Sequence, residues 1–164
     1  MEEIIRKQTR APKQIGDFGE GLVNYVLIRK GHEVGYVDHV GADLISEKDG
    51  KRFAISVKTR VFKEGSDESK MVPVTDENLN KLKIFAKTFN LECLFAQVLC
   101  HADTKNIYVF LMSVNDLETS HILPRIKDGY SLKFGNNIEE LNKKIDVSSW
   151  KDETIGNLDW TCSN

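Results

Sequence analysis

The chain has 164 residues and a formal net charge of −2, with 40% hydrophobic and 29% charged residues, which fits one soluble domain around a single core. No run of about 18 apolar residues occurs, so we expect no membrane-spanning helix. The N-terminus lacks a signal-peptide core, and the three cysteines form no C-x-x-C pair, so we expect a cytoplasmic protein with reduced thiols.

The basic residues are concentrated in one short stretch of the chain. The segment 51–63 contains five of them and no acidic residue: Lys51, Arg52, Lys58, Arg60 and Lys63. On a nearly neutral protein, such a stripe suits a polyanion that docks at one place. Lysines that protect a solvated strand edge from aggregation would give the same pattern. Charge alone leaves both interpretations open.

The first half of the chain predicts one helix and three strands. Residues 1–14 are polar and basic, which indicates a flexible arm. An apolar stripe predicts a helix from Asp17 to Lys30, with Gly31 as its stop. The turn Asp49-Gly50 is a strong two-residue hairpin signal. The predicted extended segments are Glu33–Asp38, Ala42–Glu47 and Arg52–Val61.

The second half predicts a second helix, an antiparallel strand pair and a third helix. Residues 62–70 are polar and predict a mobile loop. Thr75 can cap a helix from Asp76 to Phe89, which has acidic residues in its first turn. The predicted strands are 93–100 and 106–114, the third helix is 137–145, and residues 146–164 form an acidic tail. We therefore expect a single α/β domain over residues 15–145, with a mixed sheet flanked by helices.

The hairpin turn fixes which residues face each other. A two-residue loop pairs Lys48 with Lys51, and paired residue numbers then add up to 99. Asp43 should therefore face Ser56, and Gly41 should face Lys58. Alternation predicts that Asp43, Ser56 and Lys58 share one face of the sheet, within about 5–8 Å of one another.

A carboxylate beside a lysine on one face of a sheet has two interpretations. The first is a cross-strand ion pair, which is worth about 0–1 kcal/mol when it is exposed. The second is phosphodiester hydrolysis, in which Asp43 holds a divalent metal and Lys58 stabilises the charge on the phosphate. The small pair Gly41-Ala42 would leave room for a phosphate backbone.

These residues also resemble a known superfamily. Gly41-Ala42-Asp43, twelve further residues and then Ser56-Val57-Lys58-Thr59-Arg60 are similar to the PD-(D/E)xK nucleases. These share the restriction-endonuclease-like fold, and the closest likeness is to the archaeal Holliday-junction resolvases. The run G-D-F-G-E places Glu20 where a helix glutamate often accompanies that core. The resemblance covers about residues 15–115 and implies an α-β-β-β-α-β-β core.

The resemblance implies an endonuclease that cleaves DNA with Mg²⁺ or Mn²⁺. Asp43, Glu20 and the Val57 carbonyl would hold the metal, and Lys58 would be the catalytic cation. Cleavage of both strands would suggest a homodimer. Glu20 also fits a capping box with Asp17, in which it only bonds the start of the helix. The residues that would contact nucleic acid are Arg60, Lys63 and Thr59.

Ser56 departs from the superfamily pattern, which usually has an acidic residue or glutamine as a metal ligand at this position. A serine hydroxyl is neutral and binds Mg²⁺ poorly. The site could work without this ligand, or an acid such as Glu77 could have taken its place. Alternatively, the fold could have lost catalysis and kept the binding of nucleic acid or of a protein partner.

Overall fold

The computed structural model describes residues 10–62, 71–101, 103–120, 122–133, 143 and 145–151. Three helices lie within these ranges: α1 (Ala11–Arg29), α2 (Asp76–Phe89) and α3 (Val114–Thr119). The strands are β1 (Glu33–His39), β2 (Ala42–Lys48), β3 (Lys51–Phe62), β4 (Met71–Thr75), β5 (Glu92–His101), β6 (Asn106–Ser113), β7 (Arg125–Ile126), β8 (Gly129–Lys133) and β9 (Asp146–Lys151).

The main sheet has six strands in the order β1-β2-β3-β5-β6-β9. Its strand pairs are antiparallel except β3 and β5, which run parallel. A parallel pair needs a long crossover, and α2 lies in the connection between these two strands. The structure therefore confirms the predicted mixed α/β sheet and the antiparallel pairing of β5 with β6.

The hairpin of β2 and β3 has the predicted register. Asp49 and Gly50 both adopt positive φ angles, of 53° and 79°, as a two-residue hairpin turn of this type requires. The ladder runs from the pair Lys48–Lys51 to the pair Leu44–Ile55, and in each pair the residue numbers add up to 99. The Asp-Gly turn was thus sufficient to set this register.

Helix α1 begins six residues earlier than predicted. It starts at Ala11, with a proline in its first turn, after Arg10 as an N-cap that makes no side-chain hydrogen bond. Asp17 therefore lies inside the helix, so the alternative interpretation of Glu20 as part of a capping box is wrong. The same helix also includes part of the predicted flexible arm.

Two apolar cores lie on opposite faces of the main sheet. On one face, α1 packs Leu22, Val23 and Leu27 against sheet residues that include Leu44, Ile55 and Val57. On the other face, α2 packs against a second group of sheet side chains, and the small sheet β4-β8-β7 contributes to the same core. That second group includes Ala42, Ala54, Phe62, Phe95, Leu99 and Phe110. Each helix is thus held on its own side of β3.

The sequence did not predict the small sheet, α3 or β9. Strand β9 pairs with β6 at the edge of the main sheet, so residues 146–151 belong to the domain rather than to an acidic tail. The predicted helix 137–145 and the predicted loop after Phe62 lie almost wholly outside the described residues. Among the described helices, none combines the length and the apolar character needed to cross a membrane.

Candidate functional site

Asp43 lies where β2 leaves its ladder with β3. Its Oδ2 accepts a hydrogen bond of 2.6 Å from the backbone N–H of Val57 on β3. The neighbours of Asp43 along β2 pack on opposite faces, because Ala42 lies in the α2-side core and Leu44 in the α1-side core. The regular alternation is therefore interrupted at Asp43, and its carboxylate occupies the open edge of β3.

The pair Gly41-Ala42 is small for a reason other than the one predicted. A Cβ on Gly41 would lie 2.6 Å from the Lys81 carbonyl oxygen and 2.9 Å from Cβ of Phe85, both on α2. Ala42 is 2% exposed and packs in the core. Close packing against α2 thus accounts for both residues, and neither leaves room for a phosphate backbone.

Glu20 approaches Asp43 from α1. Burial raises the pKa of the Glu20 carboxyl, and the nearby carboxylates of Asp43 and Asp17 raise it further, whereas Lys13 and Lys58 lower it. Glu20 is therefore an electrostatic neighbour of both Asp43 and Lys58. These three predicted site residues lie on three different elements, close enough for the charges of Asp43 and Lys58 to affect the pKa of Glu20.

Lys58 and Ser56 occupy different environments on the same face of β3. Lys58 is exposed, beyond the point where β2 leaves the ladder. Ser56 is only 6% exposed and pairs with Phe95 of β5, a member of the α2-side core. A serine fits this position because its small side chain can be enclosed at the edge of the core, where an ionised carboxylate would be costly to bury.

Thr59 lies on the opposite face of β3, beneath α1. A Cβ on Gly19 would lie 1.8 Å from the Thr59 Oγ1, so the helix backbone approaches the strand at this point. The Oγ1 atom is buried and has no hydrogen-bond partner among the described residues. The hydroxyl is thus enclosed in this arrangement, so we do not include Thr59 in the proposed nucleic acid surface. Arg60 is exposed, and Lys63 lies outside the described residues.

The metal-ligating capacity of the site rests on two carboxylates. Within the described ranges, no three histidine, cysteine, aspartate or glutamate side chains are grouped so that they could hold a metal ion. Glu77, the candidate for a displaced acid, forms an ion pair with Lys81 one turn further along α2. Asp43 and Glu20 are therefore the acidic candidate ligands of this site, and the Val57 carbonyl stays a prediction.

Sequence reasoning missed Gln97 in the middle of β5. It is fully buried, and neither its Oε1 nor its Nε2 has a hydrogen-bond partner among the described residues. It is the Cα partner of Lys58 in the parallel ladder. The sequence did show one amide, Gln97, inside the otherwise apolar run Cys93–Cys100. Its position beside Lys58 becomes visible only from the pairing of β3 with β5.

The comparisons with known proteins bear on the fold. No family model and no curated protein sequence matches this chain. A Holliday junction resolvase, Hjc from Archaeoglobus fulgidus, matches with a TM-score of 0.52 and 18% identity, over 72% of this chain and 88% of that chain. A bacterial homing endonuclease, I-Ssp6803I, matches with a TM-score of 0.47 and 15% identity, over 79% and 81% of the two chains.

The class that the architecture defines is the restriction-endonuclease-like α/β fold, with a six-stranded mixed sheet flanked by helices. The solved structure of the archaeal resolvase is similar to the structure of this chain. At 18% identity, this likeness shows the fold.

Proposed function

We propose that this protein is a metal-dependent endonuclease that hydrolyses DNA phosphodiester bonds. The proposal is carried by the hydrogen bond that holds Asp43 at the open edge of β3, together with the charges of Asp43 and Lys58, which both act on the Glu20 carboxyl. The similarity of the fold to a Holliday junction resolvase supports the choice of DNA as substrate. Because one site cuts one strand, we include a homodimer in the proposal.

The donor set fits a hard divalent cation. Mg²⁺ usually keeps several waters and takes only one or two protein carboxylates, which Asp43 and Glu20 would supply with the Val57 carbonyl. The raised pKa of Glu20 reflects burial and repulsion from Asp43, and binding of a cation by these carboxylates would relieve that repulsion. Bound Mg²⁺ or Mn²⁺ would lower the pKa of a water molecule and screen the charge on the phosphate.

The other residues of the site act directly on the substrate. The exposed ammonium of Lys58 stabilises the negative charge that develops on the phosphate during attack. The Arg60 side chain contacts a flanking phosphate and positions the DNA, and Lys63, three residues further along the sequence, stays a predicted phosphate contact. The hydrogen bond from Val57 N–H holds one Asp43 oxygen in place, so the carboxylate stays oriented toward the edge of β3.

A second candidate function is an inert nucleic-acid-binding module on the same fold. Ser56 supplies no charge, and within the described ranges no third acidic, histidine or cysteine ligand joins Asp43 and Glu20. Such a module would keep Arg60 and Lys58 as phosphate contacts but would not hydrolyse DNA. Salt-sensitive binding of DNA without cleavage would identify it.

The experiment that tests the first candidate combines Mn²⁺ calorimetry with cleavage of branched, single-stranded and duplex DNA. Asp43→Asn is the informative variant, because the amide oxygen can still accept from Val57 N–H while the charge is lost. Asp116→Asn is the matched control, since Asp116 is an exposed residue in the first turn of α3.

Wild type and Asp116→Asn should bind Mn²⁺ and cleave DNA, whereas Asp43→Asn should lose both properties. If wild type binds DNA but neither binds Mn²⁺ nor cleaves any of the substrates, the enzyme proposal is wrong and the inert module is the better account.

A further inference from the structure

Gln97 has a buried side-chain amide that makes no hydrogen bond to any described residue. It has no exposed surface, and both polar atoms of its amide lack a partner among the described residues. Buried amides in folded proteins are nearly always hydrogen-bonded, because leaving one unpaired in an apolar environment is costly. Its presence in the centre of β5 therefore calls for a partner.

The strand pairing restricts where that partner can lie. Gln97 pairs with Phe110 of β6 on one side and with Lys58 of β3 on the other. Its neighbours two residues away on the same strand face, Phe95 and Leu99, belong to the apolar core, as does Phe110. A water molecule held only by these groups would find too few polar partners to be stable.

Lys58 is the polar residue directly opposite this amide on β3. Paired residues of a parallel ladder project to the same face, and neighbouring strands lie about 4.8 Å apart. The lysine ammonium sits on a flexible four-carbon stem, which would let it turn from solvent toward the Gln97 oxygen. Ser56, the preceding residue on this face of β3, has no charge that would compete for the ammonium.

We propose that Gln97 is a positioning residue, whose side-chain oxygen accepts a hydrogen bond from the Lys58 ammonium and fixes where that ammonium points. The part of this inference that concerns catalysis rests on the proposed function. The hydrogen bond itself concerns the free protein and can be tested without any substrate.

The test follows the ¹⁵Nζ order parameter of the Lys58 ammonium by NMR in the free protein, with the signal assigned through its loss in Lys58→Met. Gln97→Met is the main variant, because methionine matches glutamine in shape and lacks the amide. Gln97→Asn keeps an amide that is one methylene shorter, and serves if the methionine variant does not fold.

Two references accompany this measurement. Ser131→Ala is the matched control, since Ser131 also carries a buried oxygen without a partner, but on the small sheet. Lys48, whose Nζ donates to the Lys30 carbonyl at 2.6 Å, serves as an internal reference for an ordered ammonium.

In wild type and Ser131→Ala, we expect Lys58 to be nearly as ordered as Lys48. In both Gln97 variants its order should fall to that of the exposed Lys51. If the protein is a nuclease, cleavage by Gln97→Met should also fall about 10- to 100-fold, with DNA affinity nearly unchanged.

Unchanged Lys58 order in a folded Gln97→Met variant would overturn the inference and leave Gln97 as a tolerated buried amide. Loss of Lys58 order in a protein that cleaves no DNA would support the positioning contact and refute the proposed function. The two failures are thus separable.

Discussion

Asp43 has both a structural and a chemical role at the edge of β3. Its carboxylate accepts from Val57 N–H at the point where β2 no longer continues the ladder beyond the Leu44–Ile55 pair. The negative charge then lies close to Glu20, whose pKa it helps to raise. A single side chain thus completes the backbone hydrogen bonding of a strand and supplies charge to the site.

These two roles can be separated by a pair of substitutions. We expect Asp43→Ala to lower the free energy of unfolding by about 1–3 kcal/mol, because it leaves the Val57 N–H without its partner. Asp43→Asn should cost less, since its amide oxygen can accept the same bond. Urea unfolding of the two variants measures the difference, and equal losses would contradict a structural role for the hydrogen bond.

The position of Asp43 could be predicted from the sequence, but the orientation of its side chain could not. The Asp-Gly turn set the register of the hairpin up to the Leu44–Ile55 pair. Extending strict alternation by one residue then placed Asp43 on a face with Ser56 and Lys58. That step failed because the chain turns toward α2 at Gly41, where the helix backbone lies too close for any side chain.

At the scale of elements, the contact between α1 and β3 places Glu20 beside the site. The helix lies close to the strand where Gly19 faces Thr59. Glu20 follows directly on α1, so its position depends on this approach. The glycine is required here for space rather than for a special backbone angle.

Two glycine substitutions on α1 should therefore have opposite effects. Gly19→Ala would place a Cβ 1.8 Å from the Thr59 Oγ1, and we expect it to destabilise the fold by about 1–3 kcal/mol through overpacking. Gly16→Ala meets nothing within 4 Å and should stabilise the helix by about 0.5–1 kcal/mol.

Thermal or urea unfolding of both glycine variants tests this difference, and Gly19→Ala combined with Thr59→Ala should recover part of the loss. A stable Gly19→Ala single variant would show that the helix can move away from the strand at little cost.

The junction between α1 and β1 contains a histidine whose ionisation is linked to stability. His32 Nδ1 lies 3.1 Å from the Ser46 Oγ, and its ring lies against Phe53. Burial lowers the pKa of His32, and the nearby Lys48 and Lys30 lower it further. The folded protein therefore favours the neutral imidazole.

This shift predicts that acid destabilises the protein. Above the pKa of the unfolded chain, about 6.5, His32 is neutral in both states and the stabilising contribution is complete. As the pH falls through that value, the unfolded state binds a proton more readily, so the free energy of unfolding decreases. Urea unfolding from pH 7.5 to 5 should show this decrease, and His32→Gln should reduce it. An equal decrease in the variant would assign the effect to other groups.

At the scale of the whole molecule, the basic stripe is longer than a single binding site. Lys51 lies at the hairpin end of β3 and Arg60 lies nine residues further along the same strand, which corresponds to about 30 Å at 3.3 Å per residue. Lys58 is close enough to Glu20 for its charge to affect the pKa of that carboxyl, and Arg60 lies two residues further along β3. The stripe thus divides into residues beside the candidate site and residues far from it.

This division predicts different salt dependences of DNA binding. Arg60→Gln should reduce the slope of log affinity against log salt concentration by about 0.9, since one phosphate contact is lost. Lys51→Gln removes the same charge about 30 Å away and should leave the slope unchanged. Fluorescence anisotropy at several salt concentrations gives both slopes, and equal effects of the two variants would argue for diffuse attraction rather than a defined site.

The overall architecture could be predicted only in part. Long, strongly patterned elements such as α2, β5 and β6 were predicted to within one or two residues at their ends. The small sheet was not, because β4 contains Pro73 and β7 has only two residues, too few for a periodic signal. Strand β9 was missed because its acidic surroundings suggested a tail.

In the proposed function, Glu20, Asp43 and Lys58 together cleave DNA with a divalent metal. The most direct measurement is single-turnover cleavage of labelled branched and duplex DNA in Mg²⁺, with and without EDTA. Glu20→Gln and Lys58→Met are compared with Asp116→Asn, an exposed control on α3. We expect EDTA to stop cleavage by the wild type. The cleavage rate should fall about 10²–10³-fold in Lys58→Met and strongly in Glu20→Gln, and it should change little in the control. Cleavage that survives EDTA, or equal rates in all three variants, would contradict this assignment.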